Sequence, residues 1–186
     1  IFAHGFWTRN GQKFSKSLGN AISPTHLIDA YGLDPVRYYM FRAFSFGGDG
    51  DFSDDELVRR NNSDLAQGLG NLVQRVISMI EKYCDGKIPV PEQIDERHQA
   101  VIDQSGIAVK HISAAIDTSA FQTALEEIWN LVGQLNAFIN ETEPWKLAKR
   151  GETAQLNGIL ATLAEGVRLI ATLTSAFMPA SSLTII

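Results

Sequence analysis

The sequence predicts a mostly α-helical protein: an antiparallel bundle of four long helices, preceded by a short, irregular, basic segment. Three observations point there. Apolar residues recur at helical spacing in long runs: Leu65, Leu69, Leu72, Val73, Val76 and Ile80; then Leu125, Ile128, Trp129, Val132, Leu135 and Ile139; then Leu156, Leu160, Leu163, Val167 and Ile170. The connections between runs are short and carry Gly or Pro, as antiparallel neighbours require. The chain has 186 residues, 45% of them hydrophobic, which is enough to bury a core without disulfides or metal. The single Cys84 excludes a disulfide framework and a cysteine-cluster zinc site. The net charge of −5 excludes a broadly basic nucleic-acid coat but permits a local basic site. No run approaches the roughly 18 consecutive apolar residues of a membrane span. The opening, IFAHGFW, has no basic leader or clear apolar core of a signal peptide. A cytoplasmic protein with no membrane or DNA partner is expected. Its first residue is Ile, as in a piece of a longer chain.

Each element has a local chemical reason. Up to about residue 22 the chain is punctuated by Gly5, Gly11 and Gly19, and Asn10-Gly11 reads as a tight turn between extended pieces at 2–8 and 12–14. Ser23-Pro24 reads as an N-cap followed by Pro at the first helical position, opening a helix to Tyr31, with Gly32 just past its end. Asp34-Pro35 repeats the signal for a helix over about 35–45. Residues 46–52 are a Gly/Asp loop, which reads as a linker. It lacks the twelve-residue ligand spacing and terminal Glu of a calcium hand. Ser53 to Glu56 is a capping box, reinforced by Asp54 and Asp55, and its helix runs to about Tyr83. After a Gly/Pro loop at 85–91, helices follow at about 92–116, 119–141 and 153–176, with a Pro144 break and a short turn at 145–150. The end, MPASSLTII, loses periodicity and reads as frayed or truncated.

Charge is uneven. Residues 1–45 sum to +3, residues 46–103 to −6 and residues 104–186 to −2. Within the basic segment, Lys13 and Lys16 stand three apart, interleaved with Ser15 and Ser17 and followed by Gly19. Ammonium groups, hydroxyls and free backbone amides suit a phosphate chain and can meet charge developing on a leaving pyrophosphate. A solvated lysine loop is the plainer reading of the same residues. The Gly-x-x-x-x-Gly-Lys pattern of a P-loop is absent. Asn71 and Arg75 share a helix face off the Leu69–Val76 stripe, with Arg75 on its flank. Trp129 sits on an apolar stripe and reads as core. His26, His98 and His111 have neither ligand spacing nor cysteine partners, so no metal is expected there.

The stretch Lys13-Phe14-Ser15-Lys16-Ser17-Leu18-Gly19-Asn20 resembles the Lys-Met-Ser-Lys-Ser loop of class I aminoacyl-tRNA synthetases, with Phe14 in place of Met. Wider context narrows the resemblance to the methionyl-tRNA synthetases. It comprises His4-Gly-Phe-Trp7, Phe46 through Ser53, Asn71-Leu-Val-Gln-Arg75, and Glu143-Pro-Trp145 through Lys149, in order along nearly the whole chain.

The resemblance implies that residues 1–48 are the C-terminal end of a Rossmann-type catalytic domain, and residues 49–186 a helical anticodon-binding domain. It implies an ATP-binding loop of Lys13, Phe14, Ser15, Lys16 and Ser17. Lys16 would be the main transition-state stabiliser and Lys13 its assistant. His4 would lie near the phosphate site or simply order the strand. Asn71 and Arg75 would read the CAU anticodon of tRNA(Met), and Trp145 would stack on its first base. By residue chemistry alone, Asn71 and Arg75 are also ordinary surface polar residues and Trp145 a bundle cap. Lys146, Lys149 and Arg150 divide between phosphate contacts and a solvated helix end.

The implied reaction joins L-methionine to tRNA using ATP with Mg2+. The upstream His-x-Gly-His segment, the methionine pocket and the family's zinc-bearing insertion are not in these 186 residues. The chain is therefore expected to be inactive alone. A stand-alone tRNA-binding module and a plain helical scaffold are the competing readings.

Overall fold

The computed structural model describes residues 5–15, 17–91 and 94–186. Strands β1 (Trp7–Arg9) and β2 (Gln12–Lys13) form an antiparallel hairpin with Thr8 opposite Lys13. Asn10 and Gly11, with φ of 53° and 73°, make the turn, as the Asn-Gly pair predicts. A third strand, β3 (Gly50–Asp51), pairs in parallel with β1, Trp7 opposite Gly50. The 46–52 segment is thus bound to the hairpin, and the linker reading is corrected. Asp49 Oδ1 accepts from the Phe6 amide at 2.7 Å, and Asp51 Oδ1 accepts from Thr8 Oγ1 at 2.6 Å and the Gly11 amide at 2.9 Å. Gly50 lies against the Phe44 ring, where a Cβ would come within 2.7 Å of ring carbons. A Gly/Asp strand carries no apolar alternation, so periodicity could not reveal it.

Helices α1 (Pro24–Tyr31) and α2 (Leu33–Ala43) meet at Gly32, whose φ of 84° lets one helix stop and the next begin without a spacer. The Asp34-Pro35 start is therefore corrected by two residues. Asp34 does not cap α2; its buried carboxylate accepts from the Ser181 amide at 2.6 Å, at the far end of the chain. Leu27, Val36, Tyr39, Phe52 and Leu57 form a small core here, with Trp7 and Phe14 packed on it. Arg37 on α2 donates to the carbonyls of Ala176 and Phe177 at 2.8 and 2.9 Å, tying this segment to the bundle.

The 53–83 helix of the sequence reading is one continuous rod with an anomaly inside it. It comprises α3 (Asp54–Arg60), a π-helical stretch (Asn61–Gly70) and α4 (Asn71–Cys84). Ser53 caps it through the Glu56 amide at 3.3 Å. Helices α5 (Glu96–Asp117), α6 (Phe121–Thr142) and α8 (Thr153–Thr174) complete the bundle, with the short α7 (Pro144–Arg150) between the last two. Leu72, Leu125, Ile128, Leu135, Ile139, Leu160 and Leu163 are fully buried in one continuous core. By length and composition α8 could cross a membrane, which the sequence reading did not anticipate. Its apolar face, from Leu156 through Ile170, is buried in the bundle. The chain end is not frayed: α9 (Pro179–Ile185) folds back, and Ser182 Oγ lies 3.0 Å from Thr174 Oγ1 in a buried pair. Short amphipathic pieces of this length show little periodicity, which is why it was missed.

Helix α5 begins at Glu96, behind an Asp95 N-cap whose Oδ1 accepts from the Arg97 and His98 amides at 3.0 and 3.2 Å. The buried His98 ring returns the contact, its Nδ1 3.2 Å from the Asp95 amide nitrogen. Bonding from the Arg97 guanidinium, and then from His98, holds the Asp95 carboxyl well below the usual carboxylate range. A carboxyl depressed in the folded state stabilises at neutral pH, and that contribution fades as pH falls through and below the ordinary Asp range near 4. Asp95→Ala is expected to cost about 1 kcal/mol at neutral pH. It should also flatten the acid side of the stability–pH curve, which denaturant titrations at pH 7 and pH 3 will show.

Candidate functional site

Two groups of residues stand out, one on the leading hairpin and one at an end of the bundle. The hairpin group is the lysine loop. Lys13 closes β2 with its ammonium 3.7 Å over the Phe6 ring. The Phe14 amide bonds the Trp7 carbonyl at 3.1 Å, and its ring packs toward Phe52 at 6.4 Å between centroids, anchoring the loop in the small core. Phe14 thereby gives the loop an apolar anchor. Ser15 Oγ and Ser17 Oγ lie 2.8 Å apart, bridging across position 16. Lys16 itself, like His4, lies outside the described residues.

The loop's base is closed by Asn20, a residue whose role nothing in its sequence neighbourhood signals. Its Oδ1 accepts from the Ser15 amide at 2.8 Å and its Nδ2 donates to the Lys13 carbonyl at 3.1 Å. One amide thus spans seven residues and holds the loop as a closed turn, with Gly19 at φ 66° inside it. The loop carries two hydroxyls within hydrogen-bond reach of each other and a left-handed glycine turn, and follows directly on the Lys13 ammonium. That donor set fits an anionic phosphate chain.

The bundle group centres on α4. Asn71 is its first residue and is exposed; Arg75, one turn later, is half-buried. The π-helical stretch ends immediately before Asn71. A wide π turn brings residue i close to the carbonyl of i−5, and Gly70 and Gly68 fit it: Cβ atoms there would lie 3.1 Å from the Leu65 carbonyl oxygen and 3.4 Å from that of Ser63. The stretch therefore shifts the phase of the rod just ahead of the two residues. Arg75 Nη1 donates to Asn136 Oδ1 at 3.1 Å and Nη2 to Asn140 Oδ1 at 2.7 Å, both on α6.

From Asn140 the chain passes Glu143, whose φ of 44° ends α6, and buried Pro144, which starts α7. The next residue is Trp145, with 43% of its surface exposed. It is not a buried bundle cap. It follows Asn140, one of the two residues that hold Arg75, by five positions. Trp129 is placed as read, against the core, 4.6 Å from the Tyr38 ring. Of the nearby cations, Lys146 pairs with Glu143 at 2.8 Å and Arg150 with Glu152 at 3.0 Å. Lys149 has no ionic partner among the described residues. Among the described residues no three His, Cys, Asp or Glu side chains converge as a metal site. Asn136 and Asn140 were missed, although their i, i+4 spacing repeats that of Asn71 and Arg75 and offered a signal.

Comparison with known proteins finds relatives along nearly the whole chain. The family described as tRNA synthetases class I (M) matches residues 1–77. The methionine–tRNA ligase of Lactococcus lactis is 45% identical over 186 residues, covering 98% of this chain and 28% of that protein. Those of Caldanaerobacter subterraneus and Thermotoga maritima are 43% and 42% identical, over 96% and 98% of this chain and 28% and 29% of theirs. The Mycobacterium tuberculosis methionyl-tRNA synthetase in complex with methionyl-adenylate superposes with a TM-score of 0.94 at 38% identity, over 100% of this chain and 37% of that one. The chain thus spans about a third of the length of the relatives it matches. Over nearly its whole length, and in its fold, the chain is homologous to one part of the methionyl-tRNA synthetases.

Proposed function

We propose that this chain supplies two parts of an ATP-dependent methionine–tRNA ligase: the pyrophosphate-side loop and the surface that reads the anticodon. Residues 1–48 are the tail of the catalytic domain and residues 49–186 the anticodon-binding domain. In the loop, Lys16 is the main stabiliser of charge on the transferring phosphates, with Lys13 assisting. Phe14 anchors the loop, and Ser15 and Ser17 shape it around ATP, with which Mg2+ would enter. In the bundle, Asn71 and Arg75 contact base edges of the CAU anticodon and Trp145 stacks on its first base. The protein works in the cytoplasm with methionine, ATP and tRNA(Met).

The observation that carries this reading is the pinning of Arg75 to Asn140, five residues ahead of an exposed indole at Trp145. With the exposed amide of Asn71 and an Arg75 guanidinium that has no acidic partner among the described residues, these groups stand on a chain whose net charge is −5. A few placed groups, not a basic surface, would make the recognition. The test is a titration of this chain with an RNA stem-loop bearing CAU and another with the first base changed. Tighter binding of CAU is expected; equal binding, or none, would favour a plain scaffold. Methionine-dependent ATP–pyrophosphate exchange is expected to be undetectable for this chain alone. Measurable exchange would overturn its assignment as a partial catalytic unit.

A further inference from the structure

Arg75 is held unlike most arginines of this protein. Among the described residues, Arg9, Arg42, Arg59, Arg60, Arg97, Arg150 and Arg168 each pair with a carboxylate. Arg37 serves the carbonyls at the end of the bundle. Arg75 is the one among them held by side-chain amides with no carboxylate, those of Asn136 and Asn140.

We infer that Asn136 and Asn140 are positioning residues that aim the Arg75 guanidinium at RNA while leaving its charge unspent. This rests on the anticodon reading above. A carboxylate would fix the side chain equally well but would neutralise it. An amide oxygen accepts an N–H bond without carrying a net charge, so the cation remains available to a base edge or phosphate. Two of the guanidinium's five N–H donors are used, which leaves three.

The cradle is itself oriented. Asn136 Nδ2 donates to the Val132 carbonyl at 3.1 Å, one turn back on α6, and that bond turns Oδ1 toward Arg75. Asn140 stands one turn further on the same face and is exposed, so its partner lies at the rim, not in the core. Helix α6 therefore fixes the plane of a group that α4 carries. The fork geometry of arginine makes that plane matter, because paired N–H donors select what they can meet.

A double-mutant cycle on this chain separates positioning from structural support. Binding to the CAU stem-loop is measured for the wild type, Arg75→Ala, Asn140→Ala, Asn136→Ala and each asparagine variant combined with Arg75→Ala. Thermal unfolding is followed in parallel. Each asparagine variant should weaken CAU binding by about 3- to 10-fold when Arg75 is present, and by less than about 2-fold when it is absent. Asn140 is exposed, so its variant will fold and keeps the test decisive if Asn136→Ala does not. An equal loss in both backgrounds would mean that the asparagines act through the fold, and would overturn the inference. So would unchanged binding by Asn140→Ala and Asn136→Ala while Arg75→Ala weakens it. If Arg75→Ala itself binds like wild type, the anticodon reading fails first, and the inference with it.

Discussion

Trp129→Ala is expected to lower the stability of the fold by about 3 kcal/mol, at the lower end for a large aromatic truncated to Ala because the residue is only half-buried. Three elements meet at this side chain. Its ring packs on the bundle core from α6. On one side it lies 4.6 Å from Tyr38 of α2, a fully buried residue. On the other its Nε1 donates to the Asp64 carbonyl at 3.3 Å, within the π-helical stretch. Asp64 in turn accepts from the Tyr38 hydroxyl at 2.8 Å, closing a triangle of α2, the π-helix and α6. Burial first, and then the Asp64 carboxylate, push the Tyr38 hydroxyl far above its ordinary value, so it stays a donor.

Removing the indole leaves a cavity between these elements and an unpaired carbonyl. In a chain of this size the loss corresponds to a fall of roughly 6–12 °C in melting temperature. Trp129→Phe keeps most of the packing and loses the hydrogen bond, at a cost of about 1 kcal/mol. Calorimetry on both variants checks the pair. A Trp129→Ala protein as stable as wild type would show that Tyr38 and the π-helix are held in place independently.

Trp145→Ala is expected to do the reverse: little change in stability, and a large loss of binding. The side chain is 43% exposed and makes no ring contact with another aromatic among the described residues. The helix that carries it is fixed instead by buried Pro144 and Leu147. Stacking of a base on an aromatic ring is worth about 1–3 kcal/mol, so CAU stem-loop affinity should fall roughly 10- to 100-fold. Trp145→Phe should recover part of it. The difference in tryptophan fluorescence between wild type and Trp145→Phe on titration isolates this indole from Trp7 and Trp129. Unchanged affinity in the Ala variant would remove Trp145 from the interface and return it to a structural role.

Much of this protein was legible in its sequence because the relevant forces are local. The Asn10-Gly11 turn, the Ser23-Pro24 start and the Ser53 cap each depend on residues within a few positions, and all three elements are found. The long stripes on α4, α6 and α8 place their apolar residues in one core, since helical periodicity alone decides which side chains share a face. The lysine loop was visible as a cluster of side-chain types at close spacing. What escaped were features defined by partners far along the chain. Strand β3 exists through its pairing with β1, more than 40 residues away. Asp34 reads as a cap by its neighbours, yet bonds an amide 147 positions on. The π-helical stretch keeps the composition of an ordinary helix, and only its backbone register distinguishes it.

By itself, then, the sequence determined a mostly helical bundle, its core stripes, its turns and the residue types of two candidate sites. Only the tertiary structure decided how those residues are held. Asn20 closes the lysine loop, and α6 presents two amides to Arg75 on α4. The difference is one of range. Periodicity, capping and turn geometry are written over a few neighbouring residues. The direction of a guanidinium, and whether its charge is neutralised, depend on which distant helix packs beside it.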